Sequence, residues 1–284
     1  MNSKTNKVNN GSALEDRVRV IKDLELRDPA MNIGLEEAIV EAVSGGNSIP
    51  TIRFWRNGHS AIIGRSQEAE VEIDIPNCRA AEIPVIRRPT GGGAVLHHPS
   101  SLNYSIYLPE APLTSVEKES IEMTKPVSSA VSEFGLDTRV LSNGLFVGST
   151  KIGGTAQSRR EGLLHHGTLL VHGDDIIKEM ASFLRAGHDN YGEAVTRVSS
   201  KPDPVSNLDS LVKGRVRTPE LVQDMTRKIA DALGRRPVEG HITTEEWEVA
   251  SYLARAKYSS PAWNFRFNGK TCKRELETGN GGTT

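Results

Sequence analysis

The sequence predicts an α+β fold. Short apolar or alternating runs crowd the middle of the chain, from TIRFWR at residue 51 to the LLHHGTLLVHG run ending at Gly173. Helical periodicity is confined to separate stretches before, between and after these runs. The most glycine-rich segment also lies between two strand candidates, which is not the strand–loop–helix order of a P-loop or a Rossmann turn.

The elements follow in chain order. The opening MNSKTNKVNNGSALEDR is polar and lacks an apolar h-region, so residues 1–20 are expected to form a flexible tail and not a secretory signal. Met31, Leu35, Ile39, Ala42 and Val43 fall at helical spacing, and Gly45-Gly46 stops that helix. TIRFWR and SAIIG read as two short strands with a tight turn at Asn57-Gly58. PVIRR is an apolar run that leads into the glycine loop. GGAVLHH and LNYSIYL follow as strands, the second alternating Leu102, Tyr104 and Ile106 with Asn103 and Ser105. A helical stretch from about Ser115 to Phe134 is expected to be interrupted at Pro126. GLFVGSTKIGGTAQ reads as strand, tight turn, strand, and GLLHHGTLLVHG as a further strand. Asp174-Asp175 opens a helix to about Leu184. From Arg185 to Arg217 apolar residues are scarce, and loops are expected. Pro219 marks a helix start. Thr243 with Glu246 forms a capping box before a helix from Glu245 to Ala256. The expected division is a tail over 1–20, a main domain over 21–240, a short helical C-terminal extension over 241–268 and a polar tail over 269–284.

Composition narrows the class. The 284 residues are 37% apolar and 25% charged, with 35 basic side chains against 36 acidic ones and a net charge of −1. A near-neutral chain gives no reason to expect nucleic acid or membrane as a partner. No apolar run is long enough to span a bilayer. Cys78 and Cys272 are too few for a disulfide framework or a zinc site, so a cytoplasmic setting is expected.

Three stretches can carry chemistry. In RRPTGGGAVLHH, residues 87–98, three glycines expose backbone N–H groups that can form an anion nest, and Arg87 and Arg88 can add bidentate contacts to a carboxylate or phosphate. The plainer reading is a tight corner with solvated arginines. In GSTKIGGTAQ, Lys151 sits between small-residue turns, where a ligand can approach the backbone beside a compact cation; most lysines are merely solvated. In LLHHGTLL, His165 and His166 are strand neighbours and point to opposite faces, so they do not easily share one metal. The same holds for His97 and His98. HExxH, CxxC and Gly-x-Ser-x-Gly are absent.

Together these stretches resemble the lipoate–protein ligase A family. The order RRPTGGGAVLHH, Asn143, KIGGTAQ, HHGTLL is that family's order. IRFWRNGHSAIIGRSQ resembles its preceding strand pair, with Gly64 and Gln67 in a Gly-x-x-Gln element. KYSSPAWN, Lys257 to Asn264, resembles its closing signature. The resemblance spans about Leu24 to Asn264.

The resemblance implies a mixed central sheet flanked by helices, shared with biotin–protein ligases. It implies activation of lipoate by ATP to lipoyl-AMP, then transfer to a lysine of an apo lipoyl-domain acceptor: an H protein, an E2 domain or another lipoate-carrying protein. Lys151 would be the central catalytic cation, contacting lipoyl carbonyl and phosphate. Arg88, Gly93, Ala94, Val95 and Leu96 would contact nucleotide, with Asn143, His166, Gly167, Thr168 and Leu169 completing that pocket. Arg87, Gly91, Gly92, His97, Gly153 and Gly154 would line the lipoate site. Mg2+ would enter with ATP, but its protein ligands are unknown. His-Asp is common where this chain has His97-His98, and Asn-Asp where it has Asn143-Gly144, so a carboxylate is missing at both places. The chain also ends soon after Trp263-Asn264, like the short archaeal arrangement, so a separate accessory protein is expected to assist. Two rivals stand beside the ligase. One is an octanoyl- or lipoyltransferase, which needs a cysteine nucleophile; residues 137–149 contain none. The other is a non-catalytic ligand-binding module.

Overall fold

The computed structural model describes residues 16–112, 114–141, 144–173, 175–186, 198–212 and 214–267. Asn143 and Cys272, together with most of the expected N-terminal tail, lie outside them.

Strand β1 (Arg17–Arg27) is the first difference from the sequence reading, because it takes in the end of the segment assigned to the tail. Val18, Val20 and Ile21 are buried, and Arg19 between them is equally enclosed by pairing with Glu246. The paired charge hides a core strand inside a polar-looking run. Helix α1 (Pro29–Ser44) starts where the Asp28 side chain accepts the Met31 N–H and Pro29 occupies the first turn. It crosses over to β2 (Thr51–Asn57), which pairs parallel to β1.

Asn57-Gly58 does not close a hairpin. β2 has both edges occupied, by β1 and by β6 (Ser101–Leu108), so the next strand has no place beside it. That strand, β3 (Ser60–Ile63), founds a separate three-stranded sheet with β4 (Val85–Arg87) parallel to it and β5 (Val95–His97) antiparallel. Helices α2 (Ala69–Glu72) and α3 (Ile75–Ala80) fill the gap between β3 and β4.

Helix α4 (Val116–Ser132) runs through Pro126 without a break. Pro126 is buried, and Val127, Ala130 and Val131 beside it bury completely in the main core. That packing outweighs the roughly 3 kcal/mol that proline costs in a helix. β7 (Thr138–Leu141), β8 (Gly144–Val147), β9 (Thr150–Ser158) and β10 (Leu163–Leu170) then form an antiparallel run. Helix α5 (Asp175–Phe183) follows. Among the described residues of the region expected as loops there is one short helix, α6 (Leu208–Leu211). Helix α7 (Thr218–Ala232) leads to β11 (Arg236–Glu239), which pairs with β1. The main sheet is thus mixed and eight-stranded, in the order β11-β1-β2-β6-β10-β9-β8-β7. α4 and α7 pack on one face.

On the other face lie α1 and helix α8 (Thr244–Leu253). Thr243 and Glu246 make the expected capping box at the start of α8. A π-helical turn (Ala254–Tyr258) and α9 (Pro261–Asn264) complete the described chain. These elements share the domain's core: Ala250 and Tyr258 are fully buried in it. No helix among the described residues is long and apolar enough to cross a membrane.

Candidate active site

A cavity of about 790 Å3 opens between the small sheet and strands β9 and β10. That volume suits a drug-sized ligand. Arg88, Gly91, Gly92, Gly93, Ala94, Val95 and His97 line it from the glycine loop and β5. Lys151, Gly153 and Gly154 line it from β9, and His166, Gly167 and Thr168 from β10. Most of the residues singled out in the sequence therefore converge on one space. Ile33, Trp55, Ile62, Ile177, Met180 and Leu184 give it apolar wall, and the segment 198–205 closes another side.

Three of the expected contact residues do not line this space. The side chains of Leu96 and Leu169 are fully buried in separate core clusters. The third, Arg87, is buried and spends its guanidinium on main-chain carbonyls. It donates to Gly64 O (3.0 Å), Gln67 O (2.6 Å), Trp263 O (3.1 Å) and Asn264 O (2.7 Å). Its own N–H donates to Asn264 Oδ1 at 2.9 Å, and Trp263 Nε1 donates back to Arg87 O at 2.8 Å. Arg87 is therefore a brace joining the strand that leads into the glycine loop to helix α9. Burial, with nearby Arg266, pushes its guanidinium down to about 10.

Arg88 reaches the cavity but is also committed. It donates to Thr90 Oγ1 (2.9 Å), Gly91 O (2.5 Å) and Gly93 O (2.8 Å), so it shapes the loop from within. The loop carries the backbone that glycine permits: Gly92 has φ +84°, and a Cβ at Gly64 would lie 2.0 Å from Gly92 O. One backbone N–H just after the three glycines is engaged as well. Ala94 N–H donates to Ser200 Oγ at 2.8 Å, and that hydroxyl donates to buried Glu72 at 2.5 Å.

Two histidines on the cavity wall are bonded through both ring nitrogens. Asn57 Nδ2 lies 2.8 Å from His97 Nδ1 and Thr168 Oγ1 lies 3.0 Å from His97 Nε2. Thr168 donates its own proton to Asn103 Oδ1 at 2.7 Å, so Nε2 must be the protonated nitrogen and Nδ1 the acceptor. Burial holds His97 neutral, down to about 3. His166 bonds Glu36 through Nδ1 and Thr90 Oγ1 through Nε2 at 2.8 Å. Glu36 also accepts from Ser105 Oγ. Burial alone would raise the Glu36 carboxyl, but the charge and bonds of His166, with Ser105, hold it below its ordinary value. His165, by contrast, is a buried core histidine beneath α4, pushed down to about 3 by desolvation.

Lys151 lines the cavity together with two other described cations, Arg88 and Lys201. Its side chain is 18% exposed, and Nζ lies 3.1 Å from Asp203 Oδ2. The segment carrying Asp203 is tied to β9 by Lys151 N to Pro204 O (2.7 Å) and Ser206 N to Lys151 O (3.0 Å). Burial lowers the ammonium pKa, the Asp203 pair raises it, and the balance falls below the ordinary lysine value. A Cβ at Gly144 would lie 2.1 Å from Gly153 O, so β8 needs glycine there to pass this close to the lysine strand.

Sequence reasoning missed Glu36, Ser200 and Asp203. Ser200 and Asp203 carry no motif and lay in a stretch expected only to be loop. Glu36 had a signal: Asn32, Glu36, Val40 and Val43 fall on one buried side of α1.

Residues 28–230 match the family described as the lipoyl protein ligase A/B catalytic domain. The chain is similar to the lipoate-protein ligase LplJ of Bacillus subtilis, with 27% identity over 267 residues covering 89% of this chain and 76% of that one. It is also similar to the octanoyltransferase LipM of Geobacillus kaustophilus, with 29% identity covering 84% of this chain and 94% of that one. Among solved structures it resembles a chain from a structural analysis of a bi-partite lipoate protein ligase and its E2 lipoyl domain from Thermoplasma acidophilum. The TM-score is 0.74 at 28% identity, covering 89% of this chain and 96% of that one. A T. acidophilum structure with bound lipoic acid gives a TM-score of 0.73 at 27% identity, covering 88% and 99%. A lipoate-protein ligase A bound with ATP gives 0.74 at 27%, covering 88% and 98%.

Proposed function

The chain belongs to the lipoyl protein ligase A/B catalytic-domain family, and from that membership we propose that it is an ATP-dependent lipoate–protein ligase. The carrying observation is a half-buried lysine paired with a carboxylate in a cavity whose wall also holds the glycine loop and a set of apolar side chains. In the first step the lipoate carboxylate attacks the α-phosphorus of ATP and pyrophosphate leaves, giving lipoyl-AMP. In the second, the lysine amine of an apo lipoyl domain attacks the acyl carbon and AMP leaves.

Each step develops negative charge near one place. Lys151 exchanges Asp203 for the substrate anion and stabilises that charge where little water competes. The glycine loop adds backbone N–H donors once Ala94 is released from Ser200. Neutral His97 is fixed as an Nε2–H donor in the wall. The apolar side chains take the dithiolane and its alkyl chain and exclude water from the mixed anhydride.

Mg2+ supplies neutralisation of the polyphosphate charge. The carboxylates lining the cavity are Glu117 and Asp203. Both are the hard oxygen donors that Mg2+ takes, so the cavity fits the ion. Asp203, beside Lys151, is the residue we assign to hold it.

The octanoyltransferase reading has the LipM relatives in its favour, but it needs a thiolate. The described residues lining the cavity include no cysteine. Cys78 is buried beside the small sheet, where burial pushes its thiol up to about 11. An accessory chain, as in the bi-partite T. acidophilum ligase, would serve the first step. A cytoplasmic setting, with reduced thiols, suits this chemistry.

The test mixes the purified chain, Mg-ATP, lipoate and an apo lipoyl-domain protein and follows the acceptor's mass. A lipoyl-sized shift that requires ATP and falls about 100–1000-fold in Lys151→Ala is expected. Preformed lipoyl-AMP separates the steps: transfer from it without ATP-dependent activation would identify a missing accessory chain. Adenylate formation by the chain alone would remove the need for one. Transfer only from an acyl-carrier thioester would replace the ligase by the transferase.

A further inference from the structure

His97 and His98 point to opposite sides of the small sheet. His97 serves the cavity. His98 leaves it and meets His59, in the turn before β3, and Glu179, on α5. His59 Nε2 lies 3.2 Å and His98 Nε2 3.9 Å from the same oxygen, Glu179 Oε2. One donor atom from each residue lies within 4.8 Å of the other two. The imidazole rings stand edge to face, with centroids 4.4 Å apart and planes at 84°. Glu179 Oε2 is shielded from solvent, yet it has no hydrogen-bond partner among the described residues. It is within ion-pair distance of His59 without the alignment of a hydrogen bond.

The His98 ring is fixed from behind. Ser100 Oγ is 2.5 Å from Nδ1 and donates its proton to His172 O at 2.8 Å. With that proton committed, the hydroxyl can accept from Nδ1–H, which turns the Nε2 lone pair toward Glu179. The Ser100 amide also points at Nδ1, from 3.1 Å, and supports the opposite tautomer. Both tautomers have a partner behind the ring, and a cation at Nε2 selects the first.

We propose that His59, His98 and Glu179 bind one divalent transition metal of the zinc class. Two imidazoles and one carboxylate are a donor set for Zn2+ or its neighbours, whereas Mg2+ takes oxygen. The site is therefore separate from the cation that accompanies ATP, and none of the three residues lines the cavity. Its ligands come from three elements: the turn after β2, the end of β5 and helix α5. An ion there fastens α5 to the small sheet. Ile177 and Met180 of that helix, one on each side of Glu179, form part of the cavity wall. The metal acts on the reaction through the position of this helix and does not touch the reacting atoms.

The test uses the full chain, stripped with a chelator and titrated first with Co2+ and then with Zn2+. One equivalent of Co2+ with the intense visible bands of a tetrahedral site is expected, displaced by Zn2+ but not by excess Mg2+. Amide hydrogen exchange across residues 175–183 slows when Zn2+ is added. His59→Ala, His98→Ala and Glu179→Gln each weaken Zn2+ binding by more than about tenfold, and Cys78→Ser leaves it unchanged. Each variant is compared with the parent in metal-free thermal unfolding. Should one not fold, the parent's Co2+ spectrum and exchange still decide. Binding that survives His98→Ala and Glu179→Gln, an octahedral Co2+ spectrum, or no binding from micromolar Zn2+ overturns the proposal.

Discussion

The ammonium of Lys151 is held 3.1 Å from the carboxylate of Asp203, which lies 52 residues further along the chain. The pair sits in the cavity where a substrate anion is proposed to bind. Asp203 pulls the Lys151 pKa up while burial and Lys201 pull it down. Asp203→Asn removes the upward pull. The alkaline limb of kcat/KM for adenylate formation, which reports the free enzyme, should therefore move to lower pH. A limb that stays in place in this variant would break the link between Lys151 charge and turnover.

Asp203→Asn also tests the Mg2+ assignment. The concentration of Mg2+ giving half-maximal adenylate formation should rise by about tenfold or more. Glu117→Gln provides the comparison, since its carboxylate lines the same cavity away from the lysine pair. An equal effect of both would spread the role over two carboxylates.

Buried histidines make the fold sensitive to acid. His97 and His165 are each lowered from 6.5 to about 3 by burial. The unfolded chain therefore binds their protons first as pH falls. Their contribution is fully present above about pH 6.5 and drains away as pH falls towards 3, at about 1.4 kcal/mol per pH unit for each histidine. Urea unfolding from pH 7 to 4 should show this slope. His165→Gln, away from the cavity wall, should reduce it by one histidine's share.

Asn264→Ala should destabilise the protein without touching the cavity. It removes the acceptor of the Arg87 N–H and the donor to Tyr258 O. Each buried group left without a partner costs about 1–3 kcal/mol. The expected result is a lower urea midpoint at unchanged m-value.

Gly64→Ala should act on both stability and binding. The new Cβ would lie 2.0 Å from Gly92 O, so the glycine loop must move. A cost of about 1–3 kcal/mol is expected from overpacking alone. A raised KM for ATP or lipoate would show that the displaced loop is the one that binds them.

Local patterning revealed most of the strands, the capping box at Thr243 and the segments that converge on the cavity. It failed where tertiary structure decides. RVRV reads as tail because Arg19 finds its partner in Glu246, far along the chain. Asn57-Gly58 reads as a hairpin because sequence cannot show that β2 already has two neighbours. Arg87 reads as an anion ligand because its acceptors are carbonyls of distant residues, which leave no sequence trace. Asp203 and Ser200 come from a segment without periodicity, and only folding brings them to Lys151 and Ala94.

The bracing of Arg87 by Trp263 and Asn264 gives the order of synthesis a consequence for the site. Arg87 emerges from the ribosome 177 residues before Asn264, whose main-chain carbonyl accepts from its guanidinium and whose side-chain Oδ1 accepts from its backbone N–H. Until then the strand leading into the glycine loop carries a charged group that has lost water without gaining all its acceptors. The loop is therefore expected to set only after residue 264 has been made, and a chain cut before Asn264 should keep most of its sheet while lacking a finished cavity rim.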